Sequence, residues 1–192
     1  MDESHRHSPI EASDETERTD IEQRPPAVPF YVTHSGRVLT ATTGTPTIED
    51  IAIGLGRIGR FGGQSTVYWP VLLHSMVVAD LLPPRLEVYG LLHDATEILI
   101  GDVPHAFKTA EIHEREKGLH RRIIESLGLA TLSDRDEALV KVADTAALEG
   151  EVLVLGPPSA ARLLGYSANM ALENAVQIYR EKYEPRDYLI ST

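Results

Sequence analysis

Two spacings of apolar side chains divide the chain into elements. Over residues 30–40, apolar and polar residues alternate on both sides of a turn at Ser35 and Gly36, which predicts a short β-hairpin. From Thr47 onward, apolar residues instead recur every three to four positions, as on one face of an amphipathic helix. This pattern predicts helices over residues 47–61, 70–82, 85–100, 110–128, 134–155 and 167–183.

Residues with strong capping preferences mark the ends of these helices. Thr47 and Asp50 have the spacing of a capping box at the start of the first helix, and Ser133 is suited to begin the fifth. Proline or glycine stop signals follow at Pro83, Gly101, Gly128, Gly156 and Pro185. Six helices, short links and one small hairpin predict an all-α domain, a helical bundle with a small N-terminal β-hairpin.

The first 29 residues differ in composition from the rest of the chain. They are polar and acidic, and they end in the proline-rich stretch RPPAVP. Such a segment cannot bury enough apolar surface to offset the entropy that it would lose on ordering. We therefore expect residues 1–29 to be a disordered acidic tail and residues 30–192 to form one domain.

Composition limits the classes of function. The 18 Lys and Arg residues against 29 Asp and Glu residues, a formal net charge of -11, argue against a nucleic-acid polymer as partner. The absence of cysteine removes disulfides and thiolate ligands, so any metal must be held by His, Asp and Glu. Neither a long apolar run nor a signal-peptide pattern is present, so we expect a soluble, cytoplasmic protein without a membrane partner.

Two short motifs suggest chemistry that their surroundings do not support. GLGRIG, residues 54–59, matches a dinucleotide-binding fingerprint, but that fingerprint requires a preceding strand, and a helix-start signal precedes it here. We interpret these glycines as sites of close helix packing. HEREK, residues 113–117, lacks the second histidine of a zincin motif, because Lys117 occupies that place.

The segment LLHDATEILIGD, residues 91–102, places polar side chains within an apolar pattern, and His74 and Asp144 are likewise embedded in apolar helices. Burying an unpaired charge is costly. His74, His93, Asp94 and Asp144 around one divalent cation would resolve these placements, because the ion cancels both carboxylates and neutral histidines bind it. The residues alone equally allow hydrogen-bonded core histidines and acids at helix surfaces.

A family resemblance favours the metal site. The run HDATEILIGDVPHAFK, after HSMVVADLL and before VADTAALE, resembles the HD-domain metal-dependent phosphohydrolase superfamily over residues 35–150. The resemblance implies an HD-domain helical bundle that holds one divalent metal ion, with zinc, cobalt, manganese, iron and magnesium left open. It assigns the metal ligands to His74, His93, Asp94 and Asp144.

Within the superfamily, the chain is most similar to compact 5′-deoxynucleotidases and small phage-type dNTP triphosphohydrolases. The likeness implies that Glu97 and Asp102 are catalytic, as groups that accept or donate protons. It implies substrate binding by Arg60, Phe61, Gln64 and Lys108. Leu73 and Gln64 stand where relatives often have Glu and His, so the nucleotide specificity is not assigned.

The implied function is metal-dependent hydrolysis of phosphate from deoxynucleotides, as a dNTP triphosphohydrolase or a 5′-deoxynucleotidase. The implied substrate is a small deoxynucleotide, and the implied assembly is a homo-oligomer. The alternative is a catalytically degenerate HD fold that serves as a nucleotide-binding or regulatory module. Phe61 or Trp69 could stack on a base, although packing in the core explains each of them as well.

Overall fold

The computed structural model describes residues 29–65, 67–155 and 177–178. The expected disordered tail lies outside these residues except for residue 29, and so does the Gly156 stop signal. Of the last predicted helix, only residues 177–178 are described, and they are helical. From Tyr31 onward the described residues belong to one unit of the chain. Within the described residues, no helix is long and apolar enough to cross a membrane.

The predicted hairpin is present and is fastened to the first helix. Strands β1 (Tyr31–Val32) and β2 (Val38–Leu39) pair antiparallel, with Tyr31 opposite Leu39. The carboxylate of Asp50 accepts hydrogen bonds from the Ser35 backbone N–H at 2.8 Å, the Ser35 hydroxyl at 2.9 Å and the Thr47 N–H at 2.9 Å. One side chain therefore closes the predicted capping box and anchors the hairpin turn.

The described helices confirm the all-α fold class, and their bounds follow the predicted caps at most ends. They are α1 (Ile48–Leu55), α2 (Val71–Asp80), α3 (Glu87–Leu92), α4 (Glu97–Ile100), α5 (Ala110–Ser126) and α6 (Asp134–Leu155). Short 3-10 segments lie at Arg60–Gly63, Pro84–Leu86 and His105–Phe107. The first helix ends at Leu55, so its predicted extension to residue 61 is wrong.

The prediction of a continuous helix over residues 85–100 is also wrong. Between α3 and α4 the chain forms tight turns, in which the Ala95 N–H donates to the Leu92 carbonyl and the Glu97 N–H donates to the Asp94 carbonyl. These bonds span three residues instead of the four of an α-helix. His93 and Asp94 thus lie in a turn between two short helices and not on a helical face.

Two apolar clusters flank the middle of α2, which packs against α1, α3 and α6. The first cluster consists of Trp69, Val77, Val78, Leu82, Leu86, Ala143, Ala147 and Leu155, with Ile178 packed against it. The second cluster consists of Ile51, Leu55, Val71, Leu92, Ala95, Ile98, Ile123 and Ile124. His74, fully buried, lies on α2 between the residues that join each cluster.

Candidate metal centre

Four polar side chains from three parts of the fold meet at one point. His74 comes from α2, the His93–Asp94 pair from the turn after α3, and Asp144 from α6. Ligand atoms of His74, His93 and Asp144 all lie within 4.8 Å of one another. Asp94 Oδ2 lies 3.1 Å from His93 Nε2 and 3.8 Å from His74 Nε2.

The spacing of these atoms suits a small cation. His74 Nε2 lies 3.1 Å from Asp144 Oδ1, and His93 Nε2 lies 3.7 Å from the same oxygen. Ligands of a tetrahedral zinc ion about 2.1 Å away are separated by roughly 3.4 Å. The spacing of His74, His93 and Asp144 therefore suits one divalent ion, and Asp94 lies beside both imidazoles.

Hydrogen bonds on the far side of each ring turn the two histidines toward this point. His93 Nδ1 lies 2.7 Å from the Gly90 carbonyl, so this nitrogen carries the proton and donates it there. His93 Nε2 is buried, and no described residue forms a hydrogen bond with it. An acceptor nitrogen that is buried without a partner, with carboxylates beside it, is the arrangement that a metal ion satisfies.

His74 is oriented in the same manner by a carboxylate. Its Nδ1 lies 3.1 Å from Glu151 Oε1, and Glu151 has no exposed surface. The other oxygen of Glu151 accepts from Arg60 at 2.9 and 3.2 Å, while Trp69 Nε1 donates to Oε1 at 2.8 Å. Glu151 therefore links a candidate metal ligand to two buried side chains, those of Arg60 and Trp69.

The protonation equilibria at the centre are strongly shifted without an ion. Burial alone lowers the pKa of His93, but Asp94 and Asp144 outweigh it and raise that pKa well above 6.5. Burial raises the pKa of Asp144, yet the hydrogen bond from His74 and the charges of His74 and His93 bring it well below its usual range. Positive charge is thus favoured here, and protons compete with a metal ion for the same nitrogens.

Glu97 and Asp102 lie beside the His93–Asp94 pair. Glu97 is 4% exposed, and its Oε2 has no hydrogen-bond partner within the described residues. Burial and the charges of Asp94 and Asp102 raise the pKa of Glu97 to about 9. Asp102 Oδ2 accepts a hydrogen bond from the Phe61 N–H at 3.2 Å, so the loop after α4 is tied to the Arg60–Gly63 segment.

Two cavities open at the His93–Asp94 pair. The larger one, about 510 Å³, has an apolar side that includes Tyr89, Ile124 and Val140. The smaller one, about 210 Å³, is lined by Glu97, Lys108 and Thr96 among others. Both are bordered by His93, Asp94, Lys117 and His120.

Comparison with curated proteins found two relatives. No protein-family model matches the chain. The uncharacterized protein YfdR of Escherichia coli K12 is 32% identical over 111 residues, which cover 57% of this chain and 61% of YfdR. An uncharacterized protein of Rhodobacter capsulatus is 38% identical over 88 residues, which cover 40% of this chain and 45% of that protein. The chain thus spans less than two thirds of each of these curated relatives.

The solved structure of the cyanophage S-2L HD phosphohydrolase DatZ, bound to dA and one catalytic Zn²⁺ ion, matches with a TM-score of 0.52 at 24% identity. The match covers 72% of this chain and 86% of that protein. The chain has the HD-domain fold.

Within this HD-domain fold, the structure brings most of the predicted site residues together. Lys108 lines the smaller cavity, where its Nζ pairs with Glu116 at 2.9 Å. Arg60 is buried, and it reaches Asp94 only at 3.8 Å because its remaining donors bind Glu151. Gln64 is exposed and lines neither of the two cavities.

The GLGRIG and RFGG stretches have structural roles here. A Cβ on Gly54 would lie 2.6 Å from a side-chain carbon of Ile98, which confirms close packing of α1 against α4 at that position. Phe61 adopts a positive φ of 57°, followed by Gly62 and Gly63 in the same region. Trp69 is 3% exposed and belongs to the first cluster, so packing describes it better than base stacking does.

Sequence reasoning missed several residues at the centre. Glu151 occurs among apolar residues near the end of α6, a signal like the one that drew attention to Asp144, but it was not recognised. Lys117, His120 and Arg121 lie on the amphipathic helix α5, where charged residues are ordinary surface features, so no local signal distinguished them.

Proposed function

We propose that this protein is a metal-dependent phosphohydrolase that acts on deoxynucleotides. The observation that carries the proposal is the convergence of His74, His93, Asp94 and Asp144, with the buried Nε2 of His93 lacking any other partner in the described chain. The DatZ structure, whose HD fold this chain shares, contains a catalytic Zn²⁺ ion and bound dA, which supports both the metal and the substrate class.

The four ligands would hold one divalent ion, which when bound supplies Lewis acidity toward a phosphoryl oxygen and activation of water. Near this point, Lys108 supplies positive charge for phosphate oxygens: burial lowers its pKa, but Glu116, Glu97 and Asp94 raise it overall, so the ammonium stays charged. Arg60 contributes less directly, because Glu151 occupies most of its donors.

Glu97 is the proposed proton-transfer group. Its Oε2 is unpartnered within the described residues, and its raised pKa allows it to hold a proton near neutral pH and release it during a reaction. Both candidate reactions break the bond between phosphorus and the 5′ oxygen and release a deoxynucleoside. Proton donation to that oxygen is therefore useful in either case, and Asp102 is the second candidate for this role.

A panel of deoxynucleoside mono- and triphosphates, assayed with zinc, cobalt, manganese, iron and magnesium, tests the proposal. Release of orthophosphate from monophosphates identifies a 5′-deoxynucleotidase, whereas release of triphosphate identifies a dNTP triphosphohydrolase. Asp144→Asn should abolish turnover, and Glu149→Gln on the same helix serves as the control. A protein with stoichiometric metal that releases no phosphate from any nucleotide would favour the regulatory-module alternative, and the enzyme proposal would be withdrawn.

A further inference from the structure

His120 is a polar residue at the centre that neither the metal site nor the proton-transfer group uses. It lies on α5, which supplies none of the four candidate ligands, and it is half-buried. The Leu92 backbone carbonyl lies within interaction range of its ring, while its Nε2 is buried without a hydrogen-bond partner among the described residues. Because Nε2 is the free atom, the bond to Leu92 is made by the other nitrogen, Nδ1, which must carry the proton.

The unpartnered Nε2 of His120 lies where a ligand in either cavity could reach it. His120 borders both cavities at the place where they meet beside His93 and Asp94. Among the other polar side chains that α5 contributes to these walls, Lys117 and Arg121 only donate hydrogen bonds, and the carboxylate of Glu116 is paired with Lys108. His120 therefore adds a hydrogen-bond acceptor that no ion pair occupies.

A neutral His120 ring restricts the groups that can form a hydrogen bond with Nε2 to donors. With Nδ1–H directed at the Leu92 carbonyl, the buried Nε2 presents a lone pair. A phosphate oxygen is also an acceptor and cannot pair with this atom. A deoxynucleotide offers two kinds of donor, the 3′-hydroxyl of its sugar and the N–H groups of its base.

We propose that His120 Nε2 accepts a hydrogen bond from the 3′-hydroxyl of the bound deoxynucleoside. The phosphate must bind at the His93–Asp94 pair, which lies beside His120. The sugar is the favoured partner because it is joined directly to the 5′ phosphate, whereas the base lies farther from the phosphorus. This inference rests on the proposed function for the placement of the phosphate. It makes His120 a binding residue that reads the sugar.

Pairs of 2′-deoxynucleosides and 2′,3′-dideoxynucleosides of the same base test the contact without turnover, since neither carries a phosphate. Their affinities for the metal-loaded protein can be measured by calorimetry. In the wild-type protein we expect loss of the 3′-hydroxyl to weaken binding about tenfold. In His120→Leu the two ligands should bind equally, and His120→Gln, whose amide oxygen can replace Nε2, should restore part of the difference.

His113→Leu, on the same helix and outside both cavities, is the matched control and should keep the wild-type discrimination. Equal affinities of the two ligands for the wild-type protein, binding of neither, or the same discrimination in wild type and His120→Leu would each overturn the proposal. So would a second metal ion that is lost in His120→Leu. Discrimination without phosphate release in the nucleotide panel would instead leave the sugar contact standing and contradict the proposed enzyme activity.

Discussion

At the scale of single residues, the candidate metal centre depends on hydrogen bonds on the far side of each histidine ring. Each histidine that would bind through Nε2 has its Nδ1 held by an acceptor, the Gly90 carbonyl for His93 and the Glu151 carboxylate for His74. These acceptors fix the tautomer and the ring orientation before a metal arrives. The donor set is therefore organised by the fold and not by the ion.

Glu151→Gln should weaken metal binding without removing a ligand. Both oxygens of Glu151 accept hydrogen bonds, so an amide, which has one oxygen, must leave either Arg60 or His74 without its acceptor. We expect metal affinity to fall about 10- to 100-fold, measured by competition with a chromophoric chelator. Glu149→Gln, on the same helix, should not change the affinity. An unchanged affinity in Glu151→Gln would show that the orientation of His74 does not depend on this carboxylate.

Substitution of a ligand and substitution of Glu97 should have separable effects. His93→Ala should abolish stoichiometric metal binding, because the buried Nε2 is lost from the donor set. Glu97→Gln should retain the metal and lower the turnover of the nucleotide that the panel identifies by about 10²-fold or more. Metal content by elemental analysis and turnover on the same samples distinguish the two. Loss of metal in Glu97→Gln would place that residue among the ligands.

The shifted pKa of Glu97 gives a stability prediction for the metal-free protein. Its pKa rises from the ordinary 4.5 to about 9, so between these pH values the unfolded chain releases a proton that the folded chain retains. Stability should therefore fall as the pH rises through this window. Glu97→Gln removes this contribution, so the variant should gain stability over the wild type from pH 5 to pH 8. Urea unfolding of both proteins with chelator, at pH 5 and at pH 8, measures the difference in their free energies of unfolding. The same difference at both pH values would contradict the raised pKa of Glu97.

At the scale of elements, the close approach of α2 and α3 positions His74 relative to the His93–Asp94 turn. A Cβ on Gly90 would lie 2.8 Å from the Ala79 Cα and 2.9 Å from the Ala79 nitrogen, both of them backbone atoms that cannot move aside cheaply. Glycine at this position lets the two helices touch. The same residue supplies the carbonyl that accepts from His93.

Gly90→Ala should therefore destabilise the protein and weaken its metal site together. Alanine favours a helix over glycine by about 1 kcal/mol, but forcing the helices apart should cost more than this gain. Gly118→Ala on α5 is the matched control, since its Cβ meets nothing within 4 Å and should stabilise the fold by about 0.5–1 kcal/mol. Urea unfolding and metal titration of both variants test this. Stabilisation of Gly90→Ala would contradict the packing argument.

The same elements show what sequence could and could not foretell. Local signals located the starts of α1, α2, α5 and α6 to within one residue, as the caps at Thr47 and Ser133 show. The break at His93–Thr96 escaped prediction because the apolar period continues through it, and the turn arises from contacts with other helices. The four candidate ligands drew attention as polar residues in an apolar pattern, and the family resemblance then assigned them to a metal ion. His120 was missed, because an amphipathic helix explains a histidine without any site.

At the scale of the whole molecule, a net charge of -11 coexists with a centre that collects cations. Lys108, Lys117, Arg121 and Lys141 line the two cavities beside the His93–Asp94 pair, together with carboxylates that include Glu97, Glu116 and Glu137, so cations are available locally where a phosphorylated ligand would bind. A few local cations of this kind fit a small anionic substrate. Local charge, and not the sum, is the informative quantity here.

Because the candidate ligands come from α2, the turn after α3 and α6, a bound ion should stabilise the whole fold. At a free metal concentration of 100 times Kd, the free energy of unfolding should rise by about 2.7 kcal/mol. The increment should shrink as the pH falls, since the raised pKa values of His74 and His93 let protons displace the metal. Thermal unfolding with zinc and with chelator, at pH 8 and pH 6, measures it. His74→Leu should unfold at the same temperature with and without zinc, and a zinc-induced shift retained in that variant would mean that the ion binds elsewhere.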